Sequence, residues 1–263
     1  GTVTAGKWNS TNTGINVTVP LADDATLIGG TLQIQASVAS GLYENLGDAH
    51  TIADGEENTN VTSSFSASTF EALSGGISDG ESILFKAILT DKAGNAKTGT
   101  QSVTSIAFDQ SVPAFSSVTP STGSSVKVAD VGYTLSEAIA SGTVKYTRTG
   151  GSSDSGSPHT QNLSGAELNT GARSLAALSS APTLVDGATY TIDFNGVDAA
   201  GNAATEVSVT GIFFDTTVPA DFTVGSVITT GGTVTAGKWN STNTGINVTV
   251  PLANDATLIG GTL

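Results

Sequence analysis

The sequence predicts an all-β chain built from tandem two-sheet sandwiches, and three observations predict it. Apolar residues alternate with polar ones along short segments. Thr and Val recur together, and 32 Gly against 7 Pro supply the turns. The chain also repeats itself at two periods.

The longer period is the clearer. Residues 1–32 read GTVTAGKWNSTNTGINVTVPLADDATLIGGTL, and residues 232–263 repeat them with Asp23 replaced by Asn254 as the only change. The period is 231 residues, which suits a two-domain unit better than a simple solenoid. A weaker repeat lies inside it. Asp79-Gly80 matches Asp186-Gly187, Asp91 and Asn95 match Asp198 and Asn202, and Phe108-Asp109 matches Phe214-Asp215, at an offset of 106 to 107 residues. That spacing is close to the roughly 100 residues of an immunoglobulin-like sandwich. The predicted organisation is an immunoglobulin-like domain over 1–109 that lacks its first strand, a complete one over 110–215, and the N-terminal part of the next copy over 216–263.

Strands are read from period-two alternation. Ile15, Val17 and Val19 share a face, as do Leu32, Ile34 and Ala36, and Ile83, Phe85, Ala87 and Leu89. In the second domain Val144, Tyr146 and Arg148 form one set, and Tyr190, Ile192 and Phe194 another. Val207, Val209, Gly211 and Phe213 are expected to alternate in its last strand. The opening strand of the third segment is expected over 222–228. Two single helical turns are expected, with Ser68 and Ser164 as caps and a glutamate three residues on. No long amphipathic helix exists for a bundle or an α/β layer.

Composition narrows the function. There are 23 acidic against 9 basic residues, a net charge of −14. That balance disfavours nucleic-acid binding and fits divalent cations or simple solubility. The absence of Cys removes disulfides, thiolate metal sites and thiol nucleophiles. No stretch approaches the ~18 apolar residues of a membrane helix, so no membrane insertion is expected in this segment. His50 and His159 stand without a partner at catalytic or zinc spacing. Gly150–Gly156 lacks the lysine of a phosphate loop. An enzyme is not expected.

The D-x-A-G-N turn followed by a strand ending F-D-x-x-V-P resembles the tandem bacterial immunoglobulin-like repeats of giant extracellular adhesins and surface fibres. The opening W-N-S-T-N-T-G-I-N-V-T-V-P, at Trp8–Pro20 and Trp239–Pro251, is similar to repeats of very long proteins of that type. The resemblance implies export, an extended stalk, and calcium at domain junctions. The corresponding function is a structural repeat unit, with neighbouring repeats of the same chain as partners and self-association into fibres as a further one. A module binding a glycan or a host protein through its loops is the alternative.

The candidate metal ligands are Asp91, Asn95, Asp109, Asp198, Asn202 and Asp215. Calcium takes six to eight oxygens at roughly 2.3–2.6 Å, and a turn with Asp and Asn offers a carboxylate, an amide oxygen and carbonyls. Within one domain the turn acid and the exit acid lie about a strand apart. Across a junction, Asp109 can approach loop carboxylates of the second domain. The competing reading is that Asp and Asn beside Gly simply build a tight turn. Glu44, Asp48, Asp54, Glu56 and Glu57 near His50 form a second acidic run, read as a solvated loop or a cation site. Trp8 and Trp239 suit core packing or carbohydrate stacking.

Overall fold

The computed structural model describes residues 1–255 and 258–263. Residues Gly1–Phe214 form one compact unit and Asp215–Leu263 another. Both sandwiches lie in the first unit, each with its own apolar cluster.

The first sandwich contains β1 (Lys7–Trp8), β2 (Gly14–Pro20), β3 (Thr31–Val38), β4 (Glu44–Asn45), β5 (His50–Thr51) and β6 (Asn60–Ser66), followed by helix α1 (Ala67–Glu71), β7 (Ser82–Thr90), β8 (Ala96–Thr98) and β9 (Ile106–Phe108). One sheet has the order β1-β9-β7-β3-β4, with β5 on β3 and β8 on β7. The other is the pair β2-β6, in register from Gly14 opposite Ser66 to Pro20 opposite Asn60. Alternation buries Leu32, Ile34 and Ala36 from β3 and Ile83 and Phe85 from β7. The cap of α1 is Ser66, not Ser68. Ser66 has extended backbone and its Oγ accepts from Thr69 N, whereas Ser68 lies inside the helix. That turn drops Phe70 onto the Trp8 ring, with centroids 4.6 Å apart.

The second sandwich comprises β10 (Phe115–Thr119), β11 (Ser125–Val126), β12 (Val131–Leu135), β13 (Ser141–Gly151), β14 (His159–Asn162), β15 (Gly171–Ala176), β16 (Ala188–Val197) and β17 (Val207–Phe214). Its sheets run β10-β12-β15 and β11-β17-β16-β13-β14. The short β11 pairs parallel with the last strand β17, as β1 does with β9. The two sandwiches therefore share a path, except that β10 has no counterpart among the described residues of the first. Phe115, Tyr133 and Phe194 pack mutually with centroids 5.3 to 5.9 Å apart. The buried Tyr133 and Tyr146 hydroxyls donate to the carbonyls of Glu167 and Ala129, so this core leaves neither of those polar atoms unpaired. The expected turn after Ser164 is present as a 3-10 turn, with Glu167 Oε2 accepting from Ser164 N at 2.8 Å.

The expected alternation through Phe213 is broken. Tyr190 stands opposite Ile212 but Ile192 opposite Val209, so β17 carries an extra residue. Gly211 takes φ +70 there, a conformation natural to glycine. The bulge turns Ile212 and Phe214 inward in place of Phe213.

In the second unit β18 (Val227–Thr230) pairs antiparallel with β19 (Gly245–Val248). The strand expected over 222–228 is thus displaced toward Thr230. Gly225 N donates to Thr249 O and Thr249 N to Ser226 O, which shifts the pairing just before β18. Among the described residues no helix is long and apolar enough to cross a membrane.

Candidate functional site at the junction of the two sandwiches

The site begins with two turns of one pattern, Asp-x-Ala-Gly-Asn, with Lys92 in the first and Ala199 in the second. In Asp198–Asn202, Asp198 Oδ1 accepts from the backbone N–H of Ala200, Gly201 and Asn202 at 2.7 to 2.9 Å, and its Oδ2 accepts from Asn202 Nδ2 at 2.8 Å. In Asp91–Asn95, Asp91 likewise accepts from Asn95 N and Nδ2, both at 2.8 Å. Gly201 and Gly94 both have positive φ, +95 and +93. The sequence builds the same Asx-type turn twice.

Their surroundings differ. Asp91 and Asn95 are intermediate and exposed, and Asp91 is held below the usual carboxylate range by Asn95. Asp198 is 5% exposed and Asn202 0%. What covers the second turn is the W-N-S-T-N segment of the first sandwich. Asn9 Nδ2 donates to Ala200 O at 2.8 Å and to Thr2 O at 2.9 Å. Ser10 gives both N–H and Oγ–H to Asn202 Oδ1, at 2.9 and 2.7 Å. Asn202 Nδ2 also donates to Asp109 O at 3.0 Å. A Cβ at Gly201 would lie 2.8 Å from Thr4 Oγ1 and 3.1 Å from Asn9 Nδ2, so this close approach also needs glycine.

The W-N-S-T-N turn is preformed by its own side chains. Asn9 N donates to Asn12 Oδ1, and Thr11 N and Oγ1 donate to Asn9 Oδ1. Its copy in the second unit makes the same bonds through Asn240, Thr242 and Asn243. Trp8 is core: it is 2% exposed, and its Nε1 donates to Glu71 Oε1 at 3.0 Å. It offers no face for a sugar to stack on.

Beside this seam the carboxylates of Asp109, Glu137 and Asp198 offer oxygens that all lie within 4.8 Å of one another. Asp109 follows β9, Glu137 follows β12, and Asp198 follows β16. Burial first, then the neighbouring carboxylates, raises the pKa of both Asp109 and Glu137. Lys7 opposes the shift at Asp109 only weakly, as the last of its causes. Asp79 accepts from Gln110 N and Ser111 Oγ, both at 2.6 Å, and pins the chain as it leaves the first sandwich. Three carboxylates converging with so little positive charge nearby make a place that a divalent cation would neutralise.

Of the six ligands named from sequence, the structure brings Asp109, Asp198 and Asn202 together. Asp91 and Asn95 lie at the opposite end of β7 from Ser82, which pairs with Ala107; eight residues of strand separate them by roughly 26 Å. Asp215 opens the second unit, where its Oδ1 accepts from Thr217 N. Asn202 contributes hydrogen bonds to the seam. Its Oδ1 already takes two donors from Ser10, so it supports the carboxylates. Glu137 was not recognised from sequence. The signal for it was an acid in the loop after the second strand, where the first domain has Asp23-Asp24. Asn9 and Ser10 were missed as well, although their whole segment recurs in the repeat.

The second acidic run resolves into separate turns. Glu56 Oε2 accepts from His50 Nε2 and Ala53 N at 2.8 Å, Glu57 from Gly55 N, and Glu44 from Ser74.

No family model matches the chain, and no curated protein matches it. Among solved structures it is similar to the crystal structure of the chicken CNTN1 FN1-FN3 domains, with 11% sequence identity and a TM-score of 0.36. That match covers 79% of this chain and 62% of the other.

Proposed function

We propose that the chain is a structural repeat unit of an extracellular bacterial surface protein, a stalk or fibre-forming spacer with no enzymatic role. The observation that carries this reading is the seam itself. The buried Asn9 and Asn202 side chains, with the exposed Ser10, lock one sandwich to the next through direct hydrogen bonds. A protein that needed only two tethered binding domains would not require such a joint. One that must hold a direction over distance would. The near-identical 231-residue repeat supports the same reading, because a recurring joint makes a regular rod, with the neighbouring repeat as first partner. The resemblance of the D-x-A-G-N and F-D-x-x-V-P motifs to adhesin repeats supports export.

Calcium is the proposed occupant of the carboxylate cluster. Asp109, Glu137 and Asp198 would hold it, and it would draw the exit of the first sandwich onto two loops of the second. The test is calorimetric titration of the chelator-treated chain with calcium, alongside small-angle scattering. Binding that disappears in Asp109→Asn and Glu137→Gln, with a narrower spread of domain orientations on calcium addition, supports the reading. No calcium-dependent heat and no change in melting temperature removes the ion. A seam that hinges freely with or without calcium removes the spacer.

A further inference from the structure

We infer that the outer edge of β6 is a self-pairing edge, and that its occupant is β6 of a second copy of this chain. The inference rests on the fibre reading above and deepens it, by naming a contact that holds two chains side by side.

Parity decides which groups of β6 face outward. Ala67 N donates to Thr13 O, and Leu21 N to Thr59 O. Odd-numbered residues of β6 therefore bond β2, and the N–H and C=O groups of Thr62 and Ser64 point away from it. Among the described residues no backbone group pairs with those four, and both residues are exposed. A neighbouring repeat does not fill this edge. The strand that the repeat places before GTVTAGKWN takes the opposite edge of β2, as β18 does on β19. In the complete second sandwich the matching strand, β15, likewise has β12 on one side and no strand on the other.

Proteins blunt open edges with short strands, bulges, proline or charge. The remaining outer strands of the two sandwiches carry such devices. β1, β4, β5 and β11 have two residues each. β10 and β15 bulge against β12. β8 carries Lys97, and the four-residue β14 carries His159. β6 has none of them. It runs seven residues in unbroken register with β2, with no proline and no charged residue.

The sequence of β6 suits pairing with itself. An antiparallel pair about a twofold axis at Ser63 overlaps all seven residues. It sets Thr62 opposite Ser64 of the second copy, where the two exchange ladder bonds, and Val61 opposite Phe65. Phe65 is only partly buried and gains the second copy's Val61 as a cross-strand neighbour. Ser63 Oγ is buried without a hydrogen-bond partner. The axis brings it against the same hydroxyl of the second copy, in the closer class of cross-strand pair. Asp54, Glu56 and Glu57 precede Asn60, so the acids of the two copies stand at opposite ends of the ladder. The contact is isologous and closes as a pair.

A disulfide reports the register directly, since the chain has no cysteine. Thr62→Cys chains are mixed with Ser64→Cys chains in a glutathione redox buffer containing chelator. Both side chains are exposed and outside the core. The expected heterodimer forms on the order of tenfold faster than one between Ser64→Cys and Lys97→Cys chains. A second measurement uses the unaltered chain. Raising its concentration should slow amide exchange at Thr62 and Ser64, and leave Ser63 and Phe65, already bonded to β2, unchanged. Ser64→Pro removes an outward N–H and spares the β2 ladder, so it should abolish that concentration dependence. Equal disulfide rates, or exchange at Thr62 and Ser64 that ignores concentration, overturns the inference. The chelator keeps the junction ion out of these readouts, so such a result removes the lateral contact and leaves the stalk and calcium readings standing. Failure of the stalk reading shows instead as a freely hinging seam.

Discussion

Asn202 receives Ser10 twice: one amide oxygen accepts both the backbone N–H and the hydroxyl of that serine, 192 residues away in the sequence. The same side chain donates to the carbonyl of Asp109 and to the carboxylate of Asp198. Four hydrogen bonds thus tie an exit strand, a loop and a neighbouring domain to a single buried residue.

Asn202→Ala is expected to cost about 1–3 kcal/mol, because it removes a fully buried amide whose four side-chain hydrogen bonds span the seam. Asn95→Ala, at the matching position of the exposed Asp91 turn, should cost less than about 1 kcal/mol. Denaturant unfolding of the two variants checks this. Equal losses would show that the turn matters and the seam does not.

The pH response of the carboxylate cluster has a definite sign. Asp109 and Glu137 are raised above ordinary carboxylate values in the folded state. Their contribution to stability is therefore full below the ordinary range and is lost as pH rises through their folded values. In chelator, Glu137→Gln should accordingly melt higher than the parent at neutral pH, with the gap closing in acid. Calcium should reverse the order at neutral pH by stabilising only the parent. Melting curves at both pH values, with and without calcium, decide it.

Asp154 should behave in the opposite sense. Hydrogen bonds from Tyr190 first, then His159, lower its pKa, at 2.7 Å each. Its stabilisation is present above the ordinary aspartate value and lost as pH falls through the folded one. Asp154→Asn should therefore be less stable than the parent at neutral pH and approach it in acid. A pH-independent difference between the two would contradict this.

The separate cores predict separable unfolding. Phe194→Ala removes the ring shared by Phe115 and Tyr133 and should cost about 3–5 kcal/mol. Amide exchange should accelerate in β13 and β16 and remain slow in β3 and β7. Trp8→Ala should do the reverse. If either variant accelerates both sets alike, the seam makes the two sandwiches one cooperative unit.

Much of the architecture was legible because strand alternation is a local signal. Leu32, Ile34 and Ala36, and Tyr190, Ile192 and Phe194, face inward as their spacing predicts. The failures were equally specific. The bulge at Gly211 exchanged Phe213 for Ile212 and Phe214 at the core, and a lone glycine in an alternating run can only hint at such a shift. Ser66 took the cap expected of Ser68, because β6 delivers the chain to the helix two residues earlier.

The sequence by itself determined the repeated parts: the strands, the Asx-type turns at Asp91 and Asp198, and the self-bonded W-N-S-T-N loop. Each depends on groups a few residues apart, which meet in every copy whatever lies nearby. Only the tertiary structure decided that Asp198 and Asn202 are buried while Asp91 and Asn95 are open to solvent, and that Glu137 joins Asp109. Burial and charge crowding depend on which distant segment arrives at a turn, and the shared Asp-x-Ala-Gly-Asn pattern carries no record of that.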